Sequence, residues 1–119
     1  MIKALFAFVF LFFSVTTPTM ARAGDVMEVS WFGPGCEGNP LWDGRPYKAS
    51  DPTVAAHRTL PFGTRLRLVN PDNGRSILVM VQTRGPFVEG RDLDISKAAA
   101  ERIGMLREGV KHLIVQQLR

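Results

Sequence analysis

Asp92 and Asp94 stand two residues apart in a 119-residue chain. In a strand, residues i and i+2 face the same side, so the two carboxylates can form a paired site. A carboxylic acid suits proton transfer because burial raises its pKa into the working range. The competing reading is two solvated surface acids. Asp94 also has a structural reading, as an acceptor of backbone N–H groups at a helix start, where its charge suits the helix dipole. Metal chemistry is not expected: Cys36, His57 and His112 lack the spacing of a ligand set. No cofactor is expected either. A lone Cys cannot close an internal disulfide, so Cys36 is a buried small apolar residue or a free or partner-bridging thiol.

The elements that must position these groups begin after a secretion signal. Lys3 precedes an apolar run, Ala4 to Val15, and Ala21-Arg22-Ala23 presents small residues at the two positions a signal peptidase inspects. The run is too short for a membrane span of about 20 residues. The division is therefore a signal peptide over 1–23 and one domain over 24–119, with no stable membrane anchor after cleavage. Residues 1–23 carry Lys3, Arg22 and no acid, so their removal takes the formal charge from +4 to +2. That near balance argues against a nucleic-acid partner. The domain is small but large enough to hold its own core.

Within it the pattern favours strands. Met27 to Phe32 alternates, and Gly33-Pro34-Gly35 breaks it. Cys36 to Asp51 reads as a loop. A short strand is expected over Thr53 to His57, a turn over Leu60 to Gly63, and an alternating strand over Thr64 to Val69. Asn73-Gly74 signals a hairpin, and Arg75 to Gln82 returns as a strand. Arg84 to Phe87 is another sharp turn. One helix is expected, capped by Ser96, running from Lys97 to Ile103 and stopped by Gly104. Val110 to Leu118 is a last strand, with Val110, Leu113, Val115 and Leu118 facing the core. Short strands and one short helix point to a small β-barrel.

Four motifs then occur in a fixed order. They are Ser30-Trp31-Phe32-Gly33-Pro34-Gly35; Ala55-Ala56-His57-Arg58-Thr59-Leu60-Pro61-Phe62-Gly63-Thr64; the hairpin from Val69 to Arg75; and Arg84-Gly85-Pro86-Phe87 followed by Gly90-Arg91-Asp92-Leu93-Asp94-Ile95-Ser96. Together they resemble the rare lipoprotein A family across roughly Val29 to Leu118. The resemblance implies a mainly β fold, a small six-stranded double-psi β-barrel with one or two short helices. It also implies a monomer in the periplasm or cell envelope. Active members are lytic transglycosylases of peptidoglycan. They cut the MurNAc–GlcNAc bond of glycan strands lacking stem peptides, without water, and leave a 1,6-anhydro sugar. Related barrels in expansins loosen plant walls without hydrolysis, so fold alone does not settle function.

The same resemblance assigns roles. Its catalytic Asp precedes Arg-Gly-Pro-Phe, and here that position is Thr83. Its Glu follows the Gly of the early loop, and here Arg45 follows Gly44. Its His has a match at His57, which assists the acid or simply braces the barrel. A Thr hydroxyl has no useful acidity near neutral pH. The catalytic set expected here is therefore His57 with Asp94 and Asp92 as replacement carboxylates. Glu37 and Asp43 lie in the early loop beside the expected groove, and Glu37 is a further candidate. Trp42 and Tyr47 are expected sugar-stacking platforms, whereas Trp31, in a strand, belongs to the core. Arg84 either pairs with Asp94, grips the lactyl carboxylate of the glycan, or braces the Gly-Pro turn with a salt bridge. Two functions follow: a transglycosylase with a rearranged acid, or a glycan-binding, wall-remodelling domain that has lost the chemistry.

Overall fold

Leu66 and Leu68 are buried while Arg65 and Arg67 between them are exposed, the alternation that makes strand β3 (Arg65–Val69). In the computed structural model, which describes residues 24–118, five more strands and one helix surround it. They are β1 (Asp25–Trp31), β2 (Val54–Ala56), β4 (Ser76–Thr83), β5 (Leu93–Ile95), α1 (Lys97–Ile103) and β6 (Val110–Gln117). Pro34–Cys36 forms a single 3-10 turn. The expected signal peptide lies outside the described residues. Among the described residues no helix is long and apolar enough to cross a membrane.

The strands close into a barrel in the order β1-β5-β2-β4-β3-β6. Closure removes free sheet edges, which a small all-β domain must otherwise protect. Two neighbour pairs, β1 with β5 and β2 with β4, run parallel, and the other four are antiparallel. Parallel neighbours need long crossovers. The 22 residues between Trp31 and Val54 carry the chain past the place of β5 from β1 to β2, and they hold the early loop. The hairpin between β3 and β4 is wider than an Asn-Gly two-residue turn. Val69 pairs with Ser76, so residues 70–75 form the connection.

The helix runs as the sequence predicts. The Ser96 hydroxyl accepts the Ala99 N–H at 3.1 Å, and Gly104 takes the left-handed conformation at φ 77°. That conformation favours glycine, and a side chain there would also have to displace the end of Asn73, whose Nδ2 would lie 2.6 Å from the added Cβ. Ser96 caps the helix as expected, and the hydrogen bond recorded for the Asp94 side chain goes to Ser30 and not to the helix start. Ala99, Ala100 and Ile103 press one helix face into the barrel core with Val29, Leu66, Leu68, Val81, Leu93, Ile95 and Leu113. Val110 and Leu118, expected in that core, are only half-buried. Buried Asn70 ties the hairpin to the helix end, donating from Nδ2 to the Ile103 carbonyl at 2.9 Å. Replacing Ile103 by Ala should cost about 2–5 kcal/mol through lost burial and an unfilled cavity. A thermal melt should then fall by roughly 10 °C or more for a domain this size.

Strand β5 is the element that sequence patterning missed. Three residues are too few to show a period, and its place is fixed by neighbours on both sides.

Candidate active site

Register builds the site. Ser30 on β1 pairs with Asp94 on β5, Asp94 pairs with Ala56 on β2, and Ala56 pairs with Thr83 on β4. These four residues form a row across the barrel wall. Two strand spacings separate Asp94 from Thr83, roughly 10 Å between backbones. A register shift between Ala55 and Ala56 re-aims the end of β2 just before His57. The His57 N–H bonds the Thr83 carbonyl at 3.2 Å, so His57 is fixed beside Thr83.

Asp94 is half-buried, and its Oδ1 accepts the Ser30 hydroxyl at 2.5 Å. Burial pushes its pKa up, while the Ser30 hydrogen bond and the Arg91 charge pull it back. With Oδ1 engaged by Ser30, Oδ2 is the atom left to carry a proton. The sign for stability follows. A carboxyl whose folded pKa is raised stabilises the fold while protonated, and that contribution is lost as pH rises through the folded pKa. Asp94→Asn should therefore melt higher than the wild type at pH 7. The gap should close as pH falls below the ordinary carboxylate range. A variant melting lower at pH 7 would contradict this reading of Asp94.

Asp92 has other partners. Its Oδ2 accepts the Glu28 N–H at 2.9 Å, and its Oδ1 lies 3.8 Å from Arg58 Nη2. The two aspartates thus do not share a proton through any hydrogen bond recorded among the described residues. Asp92 braces the approach to β5. Arg58 extends that brace by donating to the carbonyls of Pro86 and Arg91 at 3.0 and 2.5 Å.

His57 Nδ1 accepts the N–H groups of Thr59 and Leu60 at 3.1 and 3.0 Å. Its ring proton therefore sits on Nε2. Burial lowers its pKa, and the Arg58 and Arg84 charges lower it further. The imidazole is neutral near pH 7 and offers a donor, not a free basic nitrogen.

The early loop closes over the end of β4. The Trp42 N–H bonds the Gln82 carbonyl at 2.8 Å. Arg45 Nη2 donates to Gln82 Oε1 at 2.9 Å, and Arg45 Nε meets Asp43 Oδ2 at 2.6 Å. The Arg45 backbone N–H and guanidinium together hold the Asp43 carboxyl low. Arg45 is thus a paired cation held on the Gln82 side chain near the end of β4. Glu37, expected as a substitute acid, accepts the Ala49 N–H at 2.9 Å and braces the loop.

Tyr47 is no open platform. It is 4% exposed, meets Phe32 edge-on at 4.8 Å and accepts the Lys97 N–H on its hydroxyl. Burial raises its pKa, with the charges of Glu37, Cys36 and Asp94 adding to the effect. Tyr47, Phe32, Cys36, Leu41, Thr83 and Arg84 help line a cavity of about 130 Å³. Cys36 is half-buried against Leu41, Tyr47 and Val54, as a small apolar residue would be. Arg84 Nη1 donates to the carbonyls of His57 and Leu60 at 3.1 and 2.6 Å, so it braces backbone. Its guanidinium also lies 3.9 Å over the Phe62 ring. Trp42 stacks on Phe62 at 5.6 Å with planes 13° apart. Trp31 packs against the main core, as expected. Ser30, Arg58 and Phe62 stand in the sequence motifs and Gln82 at a strand end, but the partners of all four come from pairing across the barrel and not from local pattern.

A closed six-stranded barrel with two parallel pairs and a crossing early loop is the double-psi class. The Streptomyces papain inhibitor shares that fold, with a TM-score of 0.60 and 22% identity over 80% of this chain and 94% of its own. The sequence profile of the lytic transglycolase family matches residues 26–114, and the chain belongs to that family. A probable endolytic peptidoglycan transglycosylase RlpA of Synechocystis is 47% identical over 81 residues, which are 68% of this chain and 25% of that protein. The endolytic peptidoglycan transglycosylase RlpA of Campylobacter jejuni is 42% identical over 94 residues, 77% of this chain and 34% of its own. The Neisseria meningitidis protein of the same name is 39% identical over 91 residues, 76% and 38% of the two chains. This chain thus spans between a quarter and two fifths of the length of these relatives.

Proposed function

We propose that this barrel is a peptidoglycan lytic transglycosylase of the cell envelope, acting as a monomer on glycan strands lacking stem peptides. Asp94 supplies its acid. The observation carrying this reading is the half-buried Asp94 carboxyl, raised in pKa and positioned by Ser30 in register with Thr83. An exported location follows from the expected signal peptide.

The chemistry balances without water. The Asp94 Oδ2 proton passes to the glycosidic oxygen as the C1–O4 bond breaks. The 6-hydroxyl of the same sugar then closes on C1, forming the C1–O6 bond. Its proton returns to the Asp94 carboxylate, restoring the acid. The neutral His57 contributes a hydrogen bond from Nε2 and no proton acceptance. Arg84 and Arg45 furnish positive charge near a glycan carboxylate.

A second reading is favoured by Arg45 and Thr83, which leave both carboxylate positions of the family resemblance empty of acid. On that reading the groove binds glycan and does no chemistry. Incubation with peptide-free glycan strands separates the two. Anhydro-ended products seen by mass spectrometry support the enzyme. Their absence, with retention on insoluble peptidoglycan, supports the binding domain. Loss of both results overturns the glycan assignment itself.

A further inference from the structure

We infer that Trp42, backed by Phe62 and Arg84, is a stacking platform for one pyranose ring of a bound glycan strand. The inference rests on the glycan reading above and extends it to a specific subsite.

Three planar groups lie in contact. Trp42 stacks on Phe62 at 5.6 Å, and the Arg84 guanidinium covers the Phe62 ring at 3.9 Å. The two outer groups are each anchored by hydrogen bonds. Arg84 is held by two backbone carbonyls, and the Trp42 N–H is held by the Gln82 carbonyl. A rigid surface loses little entropy when a ligand settles on it. Yet the stack is not buried: Trp42 is 53% exposed and Phe62 39%. Aromatic rings serving only as a staple between the early loop and residues 60–63 would gain by closing off those faces. Left open, they make a contiguous apolar patch with a charged edge.

The occupant is set by that chemistry. One face of a pyranose ring presents axial C–H groups, which carry slight positive charge and suit the negative face of an indole. The equatorial hydroxyls around the ring then reach polar groups at the rim, where Arg45 and Asp43 stand in the same loop. The platform adjoins the proposed centre through consecutive residues. Gln82 anchors Trp42, Thr83 lies in the row with Asp94, and Arg84 completes the stack. A strand running through the site therefore lays a neighbouring sugar, not the one being cut, on Trp42.

Tryptophan emission tests this directly, because Trp42 is exposed while Trp31 packs against the core. The intact protein is titrated with tetra-N-acetylchitotetraose and, separately, with peptide-free glycan strands. Saturable quenching is expected for the wild type. Trp42→Ala should weaken binding, followed by calorimetry, about tenfold, the cost of truncating a central aromatic contact. Trp42→Phe should keep most of the affinity, since a flat ring remains. Phe62→Ala should weaken it by a smaller factor by loosening the stack. If Trp42→Ala binds as tightly as the wild type, the platform is overturned while the glycan reading stands. If the wild type binds neither probe nor insoluble peptidoglycan, the glycan reading falls first and takes the platform with it.

Discussion

Asp94→Asn is expected to lower the rate of glycan cleavage about 10²- to 10⁴-fold, the usual consequence of removing a positioned general acid. The substitution keeps shape and keeps an acceptor for the Ser30 hydroxyl, so the row from Ser30 to Thr83 should persist. It removes only the proton that must move. The pH profile adds a second readout. Burial raises the Asp94 pKa, and the protonated form is the active one. Activity should therefore fall as pH rises through that raised pKa. Asp94→Asn should abolish this descending limb as well as the rate. A variant with wild-type rate and profile would remove Asp94 from the chemistry. Asp92→Asn makes a contrast, because Asp92 holds the Glu28 N–H and faces Arg58. It should act on stability more than on rate.

Thr83→Asp is expected to raise the rate at least tenfold, and Thr83→Asp with Arg45→Glu to raise it further, toward the 10²- to 10⁴-fold a good acid contributes. The reason lies in local charge. Thr83 follows Gln82, whose Oε1 holds Arg45, and precedes Arg84. A carboxylate introduced alone there shares a cavity with Arg84, whose charge favours its charged form and holds the gain near the lower figure. Arg45→Glu puts a second carboxylate in the loop bonded to the end of β4, and of two neighbouring carboxylates one can stay protonated. The double variant should thus exceed the product of the two single effects, the mark of residues acting as a unit. Simple additivity would show that Arg45 does not govern position 83.

The sequence carried much of this fold because its signals were local. Alternation at Leu66 and Leu68 shows a strand within five residues, and Ser96 with Gly104 brackets the helix in a span of nine. Strand β5 had no such signal. Leu93–Ile95 is a strand because β1 and β2 lie on either side, which is a fact of closure and not of pattern. The same division governs the site. The motifs named His57, Thr83, Arg84 and Asp94 one by one; barrel register is what sets Asp94 and Thr83 on either side of Ala56 and fixes the His57 N–H on the Thr83 carbonyl. Partner choice was hidden. The spacing of Asp92 and Asp94 suggested a shared site, yet their hydrogen bonds go to Glu28 and Ser30 at separate points of β1. Tyr47 and Trp42 sit in one polar-looking loop, but one turns inward under Phe32 and the other outward onto Phe62. No period distinguishes the two, because a loop has none. Phe62 reads locally as a turn residue, and only the fold brings the Arg84 guanidinium across its ring.

The most direct test is digestion of peptide-free glycan strands by the wild-type protein in water enriched in oxygen-18, read by mass spectrometry. The account predicts 1,6-anhydro ends that carry no label, because the 6-hydroxyl and not water attacks C1. Labelled reducing ends would contradict it by showing hydrolysis, and intact strands would contradict it by showing no catalysis.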